Sequence, residues 1–479
     1  MRDSGRISRR GLLGAAAALG AAGMAASAPT ARAAPRRRLA NRPTPQLPPR
    51  GEFVVRDAYV LTMDPALGDF ERGDVHVRAG DIVAVGPDLP APGAEVVDGR
   101  NMIALPGLIE THWHMWGAVA RNMAGEDPDT GYFPWSRVLG ALFTAEDNYR
   151  GVRLALAEAL FTGITTVHNW SHNLLSPEYA DVELRAHREI GGRARFSYGY
   201  SRNTGPNEAL PLADVARVHR EYFSGPGDGL LTLGIATRGP ENNSVDICRQ
   251  EWEAARALGI PITTHVGITP DRVQGIQVLA DAGLLGPDVQ LVHATNNTSA
   301  DFELLGATNT HVSLSPFTEL RTGFGITPIH DFLRAGVLVS LSIDTTLLCG
   351  NADMFAVMKA MQNIADGLAQ SEFAITPRRV LEMATIDGAR DLGIADRVGT
   401  LTPGKRADLL LVRTTDVNMA PLTEPVRMIV QAAQPHNVDT VVVDGRILKR
   451  DGQLTALDVE QVAREAAETM NRVRAEVGA

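Results

Sequence analysis

The chain has 479 residues, of which 44% are hydrophobic and 21% are charged, and its formal net charge is −10 at pH 7. This balance is ordinary for a globular protein long enough to form one large domain and a smaller one. The acidic charge without a basic stripe argues against a nucleic-acid partner, and two cysteines are too few for a disulfide framework or a cysteine-based zinc site.

The first fifty residues indicate export. Arg9 and Arg10 precede a weakly apolar run of Ala and Gly, and residues 31–33 have the small-x-small pattern of a cleavage site. Residues 1–33 are therefore predicted to be a twin-arginine signal peptide, and the proline- and arginine-rich residues 34–50 a linker. The mature protein would be periplasmic or extracellular, without membrane contact, because the apolar run is too short to span a bilayer. An Ala-rich surface helix is the alternative.

Short β-strands are predicted at both ends of the remaining chain. They cover residues 53–63, 74–85 and 95–102 at one end and 405–412, 439–443 and 446–449 at the other. Either group alone would be a marginal sheet, so we predict one small β-sandwich domain built from residues 51–103 and 399–455. Two separate β appendages are the alternative. Residues 456–479 are predicted to be a C-terminal helix.

Residues 104–398 alternate short apolar strands with helical stretches. Val152, Ala155, Leu156, Ala159 and Leu160, for example, recur at helical spacing, and residues 164–167 follow as a strand. The eight predicted strands cover residues 103–109, 164–167, 194–200, 230–236, 260–265, 289–293, 311–315 and 337–344. Eight strands separated by helices predict an α/β fold, a (β/α)₈ TIM-like barrel with its chemistry at the carboxyl ends of the strands. A doubly wound open sheet is the alternative.

Polar side chains stand at the ends of four of these strands. His112 and His114 form a His-x-His pair after the first strand, and alternate strand residues face the same way. His265 ends the fifth strand, His293 the sixth and Asp344 the eighth. Any one of them could be a core histidine or a capping aspartate. Together at the carboxyl ends of the strands they predict a divalent metal site, with Zn²⁺ expected and Fe²⁺ or Mn²⁺ also compatible. An open sheet would not bring these four strand ends to one point.

In these motifs the chain resembles the amidohydrolase superfamily, on the branch of cytosine-deaminase-like and triazine-chlorohydrolase-like enzymes. The likeness covers about residues 52–455, and its motifs are PGLIETHWH at 106–114, GITTV at 163–167, TH at 264–265, VH at 292–293, SID at 342–344 and GKRADL at 404–409. The resemblance implies that His112, His114, His265 and Asp344 bind the metal. It also implies catalytic roles for Asp344, which would take a proton from water, and for His293, which would contact the substrate and stabilise charge.

Other residues near the first strand are candidates for supporting roles. Glu110 shares the inward face of the two histidines and is predicted to orient an imidazole. An aromatic-walled substrate pocket is predicted from residues of the first loop and of neighbouring strand ends: Trp113, Trp116, Phe133, Trp135, Trp170, Tyr198 and Tyr200. His168 and His172 could add polar contacts. Ordinary packing at the barrel mouth is the alternative for these residues.

The chain departs from the family pattern in two places. Binuclear members use a carboxylated lysine on the fourth strand, but the first lysine here is Lys359, so a single metal is expected. Deaminases of this branch carry a glutamate three residues after the third histidine, which passes protons to the substrate's ring nitrogen. This chain has Ile268 there, which argues against deamination of an aminopyrimidine or an aminotriazine. Glu241 and Glu319 follow other strands and could replace that glutamate, although solvated loop carboxylates are the simpler interpretation.

The sequence therefore predicts an exported, mononuclear, metal-dependent amidohydrolase. It would use metal-activated water to hydrolyse a C–N bond, or a C–Cl bond, of a small organic substrate, with cyclic compounds included. A lyase or decarboxylase on the same scaffold is the alternative, and it would not place solvent oxygen in its product. A metal-binding protein without activity is a third hypothesis. A small-molecule substrate is the expected partner, and a homo-oligomer is compatible with the sequence.

Overall fold

The computed structural model describes residues 47–201, 204–205, 207–225, 227 and 229–477. The predicted signal peptide and most of the predicted linker lie outside the described residues. The strands are β1 (Glu52–Val60), β2 (Phe70–Arg78), β3 (Asp81–Gly86), β4 (Glu95–Asp98), β5 (Met102–Pro106), β6 (Leu108–Ile109), β7 (Ile164–Ser171), β8 (Arg193–Gly199), β9 (Leu231–Thr237), β10 (Ile262–Val266), β11 (Val289–His293), β12 (His311–Leu314), β13 (Val339–Leu341), β14 (Leu409–Arg413), β15 (Val438–Val443), β16 (Arg446–Arg450) and β17 (Gln453–Leu454).

Helices connect most of these strands. They are α1 (Tyr132–Leu142), α2 (Ala145–Thr162), α3 (Pro177–Ile190), α4 (Leu212–Val218), α5 (Val245–Ala257), α6 (Gly275–Asp281), α7 (Ser299–Thr308), α8 (Pro316–Thr322), α9 (Ile329–Arg334), α10 (Thr346–Cys349), α11 (Met354–Ala369), α12 (Pro377–Met383), α13 (Ile386–Asp391), α14 (Pro425–Gln431) and α15 (Val459–Val477), with short 3₁₀ or π turns at Met115–Ala120, His219–Phe223 and Pro435–Asn437. Within the described residues, no helix combines the length and the apolar character needed to cross a membrane.

Strands β6 to β13 form the barrel, each lying parallel to the next in the chain. The two ends of this path meet just beyond β6 and β13. There the Asp344 amide donates to the His112 carbonyl at 2.8 Å, and the His114 amide donates to the Asp344 carbonyl at 2.7 Å. The predicted (β/α)₈ barrel is confirmed, and its closing contacts lie at the predicted metal ligands.

The strand predicted over residues 103–109 is in fact two strands. β5 pairs with β1 and β14 of the second sheet, whereas β6 pairs with β7 of the barrel. Gly107 separates them, and a Cβ atom there would overlap the Thr165 side chain, so a larger residue has no room. Both strands are almost fully buried, so the sequence shows one uninterrupted apolar run and hides the change of sheet.

The second sheet combines strands from both ends of the chain, as predicted. In its order, β17-β16-β15-β14-β5-β1-β2-β3, the C-terminal strand β14 lies antiparallel to β5, with Leu411 opposite Ala104. The sheet encloses its own core, which includes Phe53, Val75 and Leu409. The edge strand β3 also contacts the segment before β14, where the Ile82 amide donates to the Lys405 carbonyl. The sheet and the barrel therefore share the β5–β6 segment that leads into the His-x-His motif.

Helix α2 illustrates how local sequence fixes the barrel wall. Thr144 and Asp147 form a capping box at its start, and Gly163 ends it with a φ of +94°. The C-terminal helix α15 packs on this helix, and a buried ion pair joins Arg153 to Glu465 at 2.6 Å. These contacts hold the first βα unit of the barrel against the end of the chain.

Candidate metal centre and active site

Three histidines and one aspartate converge at the carboxyl ends of the barrel strands. The Nε2 atom of His112 lies 3.3 Å from an Asp344 carboxylate oxygen and 3.3 Å from the Nε2 of His265. The Nε2 of His114 lies 3.3 Å from the same aspartate oxygen. His112, His114 and Asp344 are buried and His265 is partly exposed. The structure thus brings together all four residues of the predicted ligand set.

The donor atoms form two triads that share His112, namely His112–His114–Asp344 and His112–His265–His293, and within each triad they lie within 4.8 Å of one another. The three 3.3 Å distances given above also match the separation of about 3.3–3.4 Å expected for donor atoms bound to one Zn²⁺ ion. Burial holds the pKa values of His112 and His265 well below the usual histidine range, so both rings keep a lone pair. The Nδ1 of His114 donates to the Trp170 carbonyl at 3.3 Å, which leaves its Nε2 as the donor atom for a metal.

The backbone at the site is strained. Asp344 has a φ of +62° and His293 a φ of +69°, in the left-handed region that non-glycine residues seldom adopt. Such conformations persist where the surrounding fold imposes them and are concentrated at functional sites. For Asp344, the barrel-closing hydrogen bonds described above are that constraint.

Glu110 holds the strands behind the ligands rather than an imidazole ring, which corrects the prediction for this residue. Its carboxylate accepts backbone amide bonds from His112 at 2.8 Å, from His168 at 3.2 Å and from Ile343 at 3.2 Å. Burial raises its pKa to about 8, although these three bonds oppose the shift. Glu110 therefore ties three strand ends together at the barrel closure.

Glu319 is part of the site. The interpretation of this residue as a solvated loop carboxylate is wrong. It is fully buried and accepts a hydrogen bond at 3.3 Å from the Nδ1 of His293. The Ser315 amide donates to it at 2.7 Å, and the Thr327 hydroxyl donates to its other oxygen. Burial alone would lower the pKa of His293, but the bond to Glu319 and the nearby Asp344 raise it. The other nitrogen of His293 lies 3.8 Å from Asp344.

The predicted substrate contacts of the three tryptophans and His168 are also corrected. Trp113 is buried in the main hydrophobic core, and Trp116 and Trp135 pack in a cluster with helix α15. His168 is buried inside the barrel, where its ring nitrogens bond the Thr111 carbonyl at 2.8 Å and the Ser197 hydroxyl at 2.6 Å. The alternative of ordinary packing therefore holds for these four residues.

Three other rings surround the cluster, and two of them belong to the predicted pocket. The Trp170 ring lies 4.5 Å from His265 and 5.0 Å from His114, and the His172 ring lies 4.3 Å from His114. Phe324 lies 5.3 Å from His293 on the other side. Trp170, at the end of strand β7, and His172, just beyond it, are among the residues that the sequence predicts for the pocket wall. Phe324 follows α8 in a loop that has no comparable sequence signal.

A model of the amidohydrolase family matches residues 103–448, which is more than half of the chain. The chain belongs to the amidohydrolase family. This confirms the resemblance drawn from the sequence motifs, and the enzyme is a hydrolase of that family.

Curated relatives match along most of this amidohydrolase. It is 29% identical over 443 residues to a 5'-deoxyadenosine deaminase of Methanosarcina mazei, covering 89% of this chain and 99% of the relative. It is 30% identical over 419 residues to a 5-methylthioadenosine/S-adenosylhomocysteine deaminase of Symbiobacterium thermophilum, covering 83% of this chain and 93% of the relative.

Solved structures share the fold. An adenosine deaminase of Xanthomonas campestris with bound zinc superposes with a TM-score of 0.81 at 24% identity, covering 89% of this chain and 99% of that one. A zinc complex of atrazine chlorohydrolase from Arthrobacter aurescens TC1 gives a TM-score of 0.77 at 21% identity, covering 89% and 100%. No lyase or decarboxylase is among these four proteins.

All three lysines of this amidohydrolase lie away from the ligands. Lys359 donates to the Gln431 carbonyl, Lys405 to the Ala395 carbonyl and Lys449 to the Phe161 carbonyl. A lysine-derived bridge between two metals has no source in the chain, which agrees with a single ion.

Glu241 follows strand β9, and its side chain bonds the residue next to Ile268. One oxygen of Glu241 accepts a hydrogen bond from the Gly267 amide, just after the His265 strand. The other oxygen is buried and has no hydrogen-bond partner within the described part of the chain. Burial raises the pKa of Glu241 to about 7, although the Gly267 amide and the nearby His293 oppose the shift. The simpler interpretation as a solvated carboxylate is therefore wrong for Glu241 as well.

Proposed function

We propose that this amidohydrolase uses one divalent metal ion to replace an amino group on a small, flat nitrogen heterocycle with a hydroxyl, releasing ammonia. The observation that carries the proposal is the set of 3.3 Å contacts joining His112, His114, His265 and Asp344. Support for an adenine-like ring comes from the two curated relatives, which are deaminases of adenosine derivatives. Zn²⁺ is the proposed ion.

The proposed roles follow from the contacts. When bound, the ion would lower the pKa of water and so supply hydroxide near neutral pH. Asp344 lies beside both His114 and His293, where its second carboxylate oxygen can take the water's proton. His293, held by Glu319, presents its other nitrogen to the same space and stabilises negative charge on the substrate.

Deamination of a heteroaromatic ring also needs an acid that protonates a ring nitrogen. Glu110 already accepts three backbone amides, and Glu319 accepts bonds from His293, Ser315 and Thr327. Glu241 has one oxygen with no hydrogen-bond partner and a pKa raised by burial to about 7, so much of it carries a proton at neutral pH. We therefore assign the acid role to Glu241, which would replace the glutamate missing at Ile268.

The test measures ammonia release from 5'-deoxyadenosine, S-adenosylhomocysteine and a chlorotriazine, with chloride release followed in parallel. Water enriched in ¹⁸O distinguishes hydrolysis, which places the label in the product, from a lyase reaction, which does not. The proposal predicts ammonia and labelled product from an adenosine derivative, and neither from Asp344→Asn. Chloride without ammonia, or an unlabelled product, would refute the deaminase assignment.

Export by the twin-arginine route remains a second part of the proposal. It rests on Arg9 and Arg10 and on the cleavage pattern at residues 31–33. The prediction is that the full chain, expressed in a bacterium, reaches the periplasm with an N-terminus at about residue 34. Replacing both arginines by lysine should retain the longer protein in the cytoplasm, and equal export of that variant would refute the route.

A further inference from the structure

A cavity of about 600 Å³ opens at the end of the barrel opposite to the metal ligands. Its wall includes Leu231, Ile262, Val289 and His311, which are the first residues of four consecutive barrel strands. The metal ligands stand at the carboxyl ends of the strands, so this cavity is a separate space. Its volume lies in the range of about 300–1,000 Å³ that is usual for small-molecule sites.

Arg195, in the wall of this cavity, is a buried cation that forms no ion pair with any residue that the structure describes. Its side chain is 7% exposed, and its guanidinium donates to the Leu392 carbonyl. Its Nε atom is buried and has no hydrogen-bond partner. Among the described residues, no carboxylate lies within salt-bridge distance of it. Burial lowers the pKa of Arg195 to about 10, with the charge of Asp391 opposing the shift, so the side chain is still charged at neutral pH. An unpaired buried charge is costly and requires a counter-ion.

The neighbouring Arg193 shows what a paired arginine on this strand looks like. It is buried to a similar degree and forms a bidentate bond to Asp408, with distances of 2.7 and 2.9 Å. Both side chains belong to β8, two residues apart. The difference between them is that Asp408 pairs with Arg193, whereas Arg195 faces the cavity.

The other charged groups of the cavity largely neutralise one another. Asp391 accepts from Gln290 and Ser340, both at 2.6 Å, and lies 3.5 Å from the His311 ring. Although burial opposes ionisation of both, their contact raises the pKa of His311 and lowers that of Asp391. Arg256 and Asp288 form a pair at 2.8 Å. His219 also lines the cavity. The charge left without a partner is that of Arg195.

The remaining wall is mostly apolar. It consists of Phe223, Leu231, Leu233, Leu258, Gly259, Ile260, Pro261, Ile262, Pro287, Val289, Leu392 and Ile394. An occupant must therefore combine one negative charge with an apolar body. A guanidinium binds a carboxylate through two parallel hydrogen bonds, which suits a planar monoanion better than a compact inorganic ion.

We propose that this cavity is a binding site for a small organic carboxylate, whose anionic group pairs with Arg195 and whose apolar body lies against Phe223, Leu233 and Ile260. The site is distinct from the metal centre. Between the two lies a hydrogen-bonded polar layer in which Ser340 bonds Thr111, the residue before the metal ligand His112. A ligand would enter this cavity at the amino-terminal ends of the barrel strands, on the face opposite to the metal centre.

The experiment is calorimetric titration of the full chain with benzoate, with benzamide as the uncharged probe of the same shape and phosphate as the inorganic anion. Saturable binding of benzoate, with at least tenfold weaker binding of benzamide and phosphate, is expected. Arg195→Met should abolish benzoate binding, and Arg195→Lys should weaken it because lysine lacks the planar fork. Binding should survive in His265→Ala, which disrupts the metal centre instead.

Thermal unfolding without ligand gives a second readout. Arg195→Met removes an unpaired charge and should raise the melting temperature. Arg193→Met leaves the buried Asp408 without its ion-pair partner and should lower the melting temperature. Benzoate binding that persists in Arg195→Met, or is lost in His265→Ala, would overturn the proposal. Absence of benzoate binding by the parent chain, or equal binding of phosphate, would overturn it too.

Discussion

Replacing Glu241 by glutamine tests the assignment of the proton donor. The amide side chain keeps an oxygen for the Gly267 amide, so the loop after β10 retains its hydrogen bond while the transferable proton is lost. General acid catalysis contributes about 100- to 10,000-fold to a rate. Glu241→Gln should therefore lower kcat by at least about 100-fold, a loss of about 3 kcal/mol of transition-state stabilisation, with metal content unchanged.

The pH profile separates this role from a structural one. Burial raises the pKa of Glu241 to about 7, so its acid form is about 90% populated at pH 6 and about 10% at pH 8. The rate of deamination should fall about tenfold for each pH unit above 7, and this limb should be absent in Glu241→Gln. Steady-state ammonia release between pH 5.5 and 9 would measure it, over a range chosen to bracket that value by about 2 units.

Glu251 supplies the matched control. It is buried on helix α5, accepts the Leu210 amide at 2.9 Å, and burial also raises its pKa to about 7. Glu251→Gln removes an equivalent carboxyl away from the metal ligands, so it should leave the pH limb in place. A Glu241→Gln enzyme with parental kcat, or one whose pH limb is retained, would refute the assignment.

Three further predictions concern Glu251, Glu319 and Gly163. Burial raises the pKa of Glu251 from 4.5 to about 7 on folding. The protonated side chain therefore contributes fully to stability below pH 4.5, and this contribution is lost as the pH rises through 7. In urea unfolding, Glu251→Gln should be more stable than the parent by up to about 3 kcal/mol at pH 9, and equally stable at pH 4. Glu319→Gln should lower kcat about 10- to 100-fold with normal metal content, because it removes the charge behind His293; an unchanged kcat would exclude that support. Gly163→Ala places a Cβ 2.9 Å from Leu410 at a φ of +94° and should lower the free energy of unfolding by at least about 1–2 kcal/mol. Gly367→Ala lies in a helix with open space around it and should raise that free energy by up to about 1 kcal/mol. Equal melting temperatures of the two variants would contradict this prediction.

The ligand set could be predicted because its determinants are local. A His-x-His pair at the end of a strand places two rings on one face, and His265, His293 and Asp344 each end a recognisable apolar strand. The barrel then brings strand ends together whatever the intervening helices contain. The expectation of a second sheet from both chain ends succeeded for a similar reason, because each end showed its own strand and turn pattern.

The failures depend on contacts that no local pattern records. Glu319 lies 26 residues from His293 on a helix after the next strand, and the two meet only in the folded barrel. The bulk of Trp113, Trp116 and Trp135 suggested a substrate pocket, but the same bulk fills hydrophobic cores. Arg195 and Arg193 are equivalent in sequence, and only the position of Asp408 decides which arginine is left unpaired.

The central claim is a single metal ion held by His112, His114, His265 and Asp344. Elemental analysis of the purified protein and of His265→Ala, prepared without chelators, tests it most directly. The account predicts about one equivalent of a divalent metal in the parent, most of it lost in the variant. Two equivalents in the parent, or no metal at all, would contradict the account.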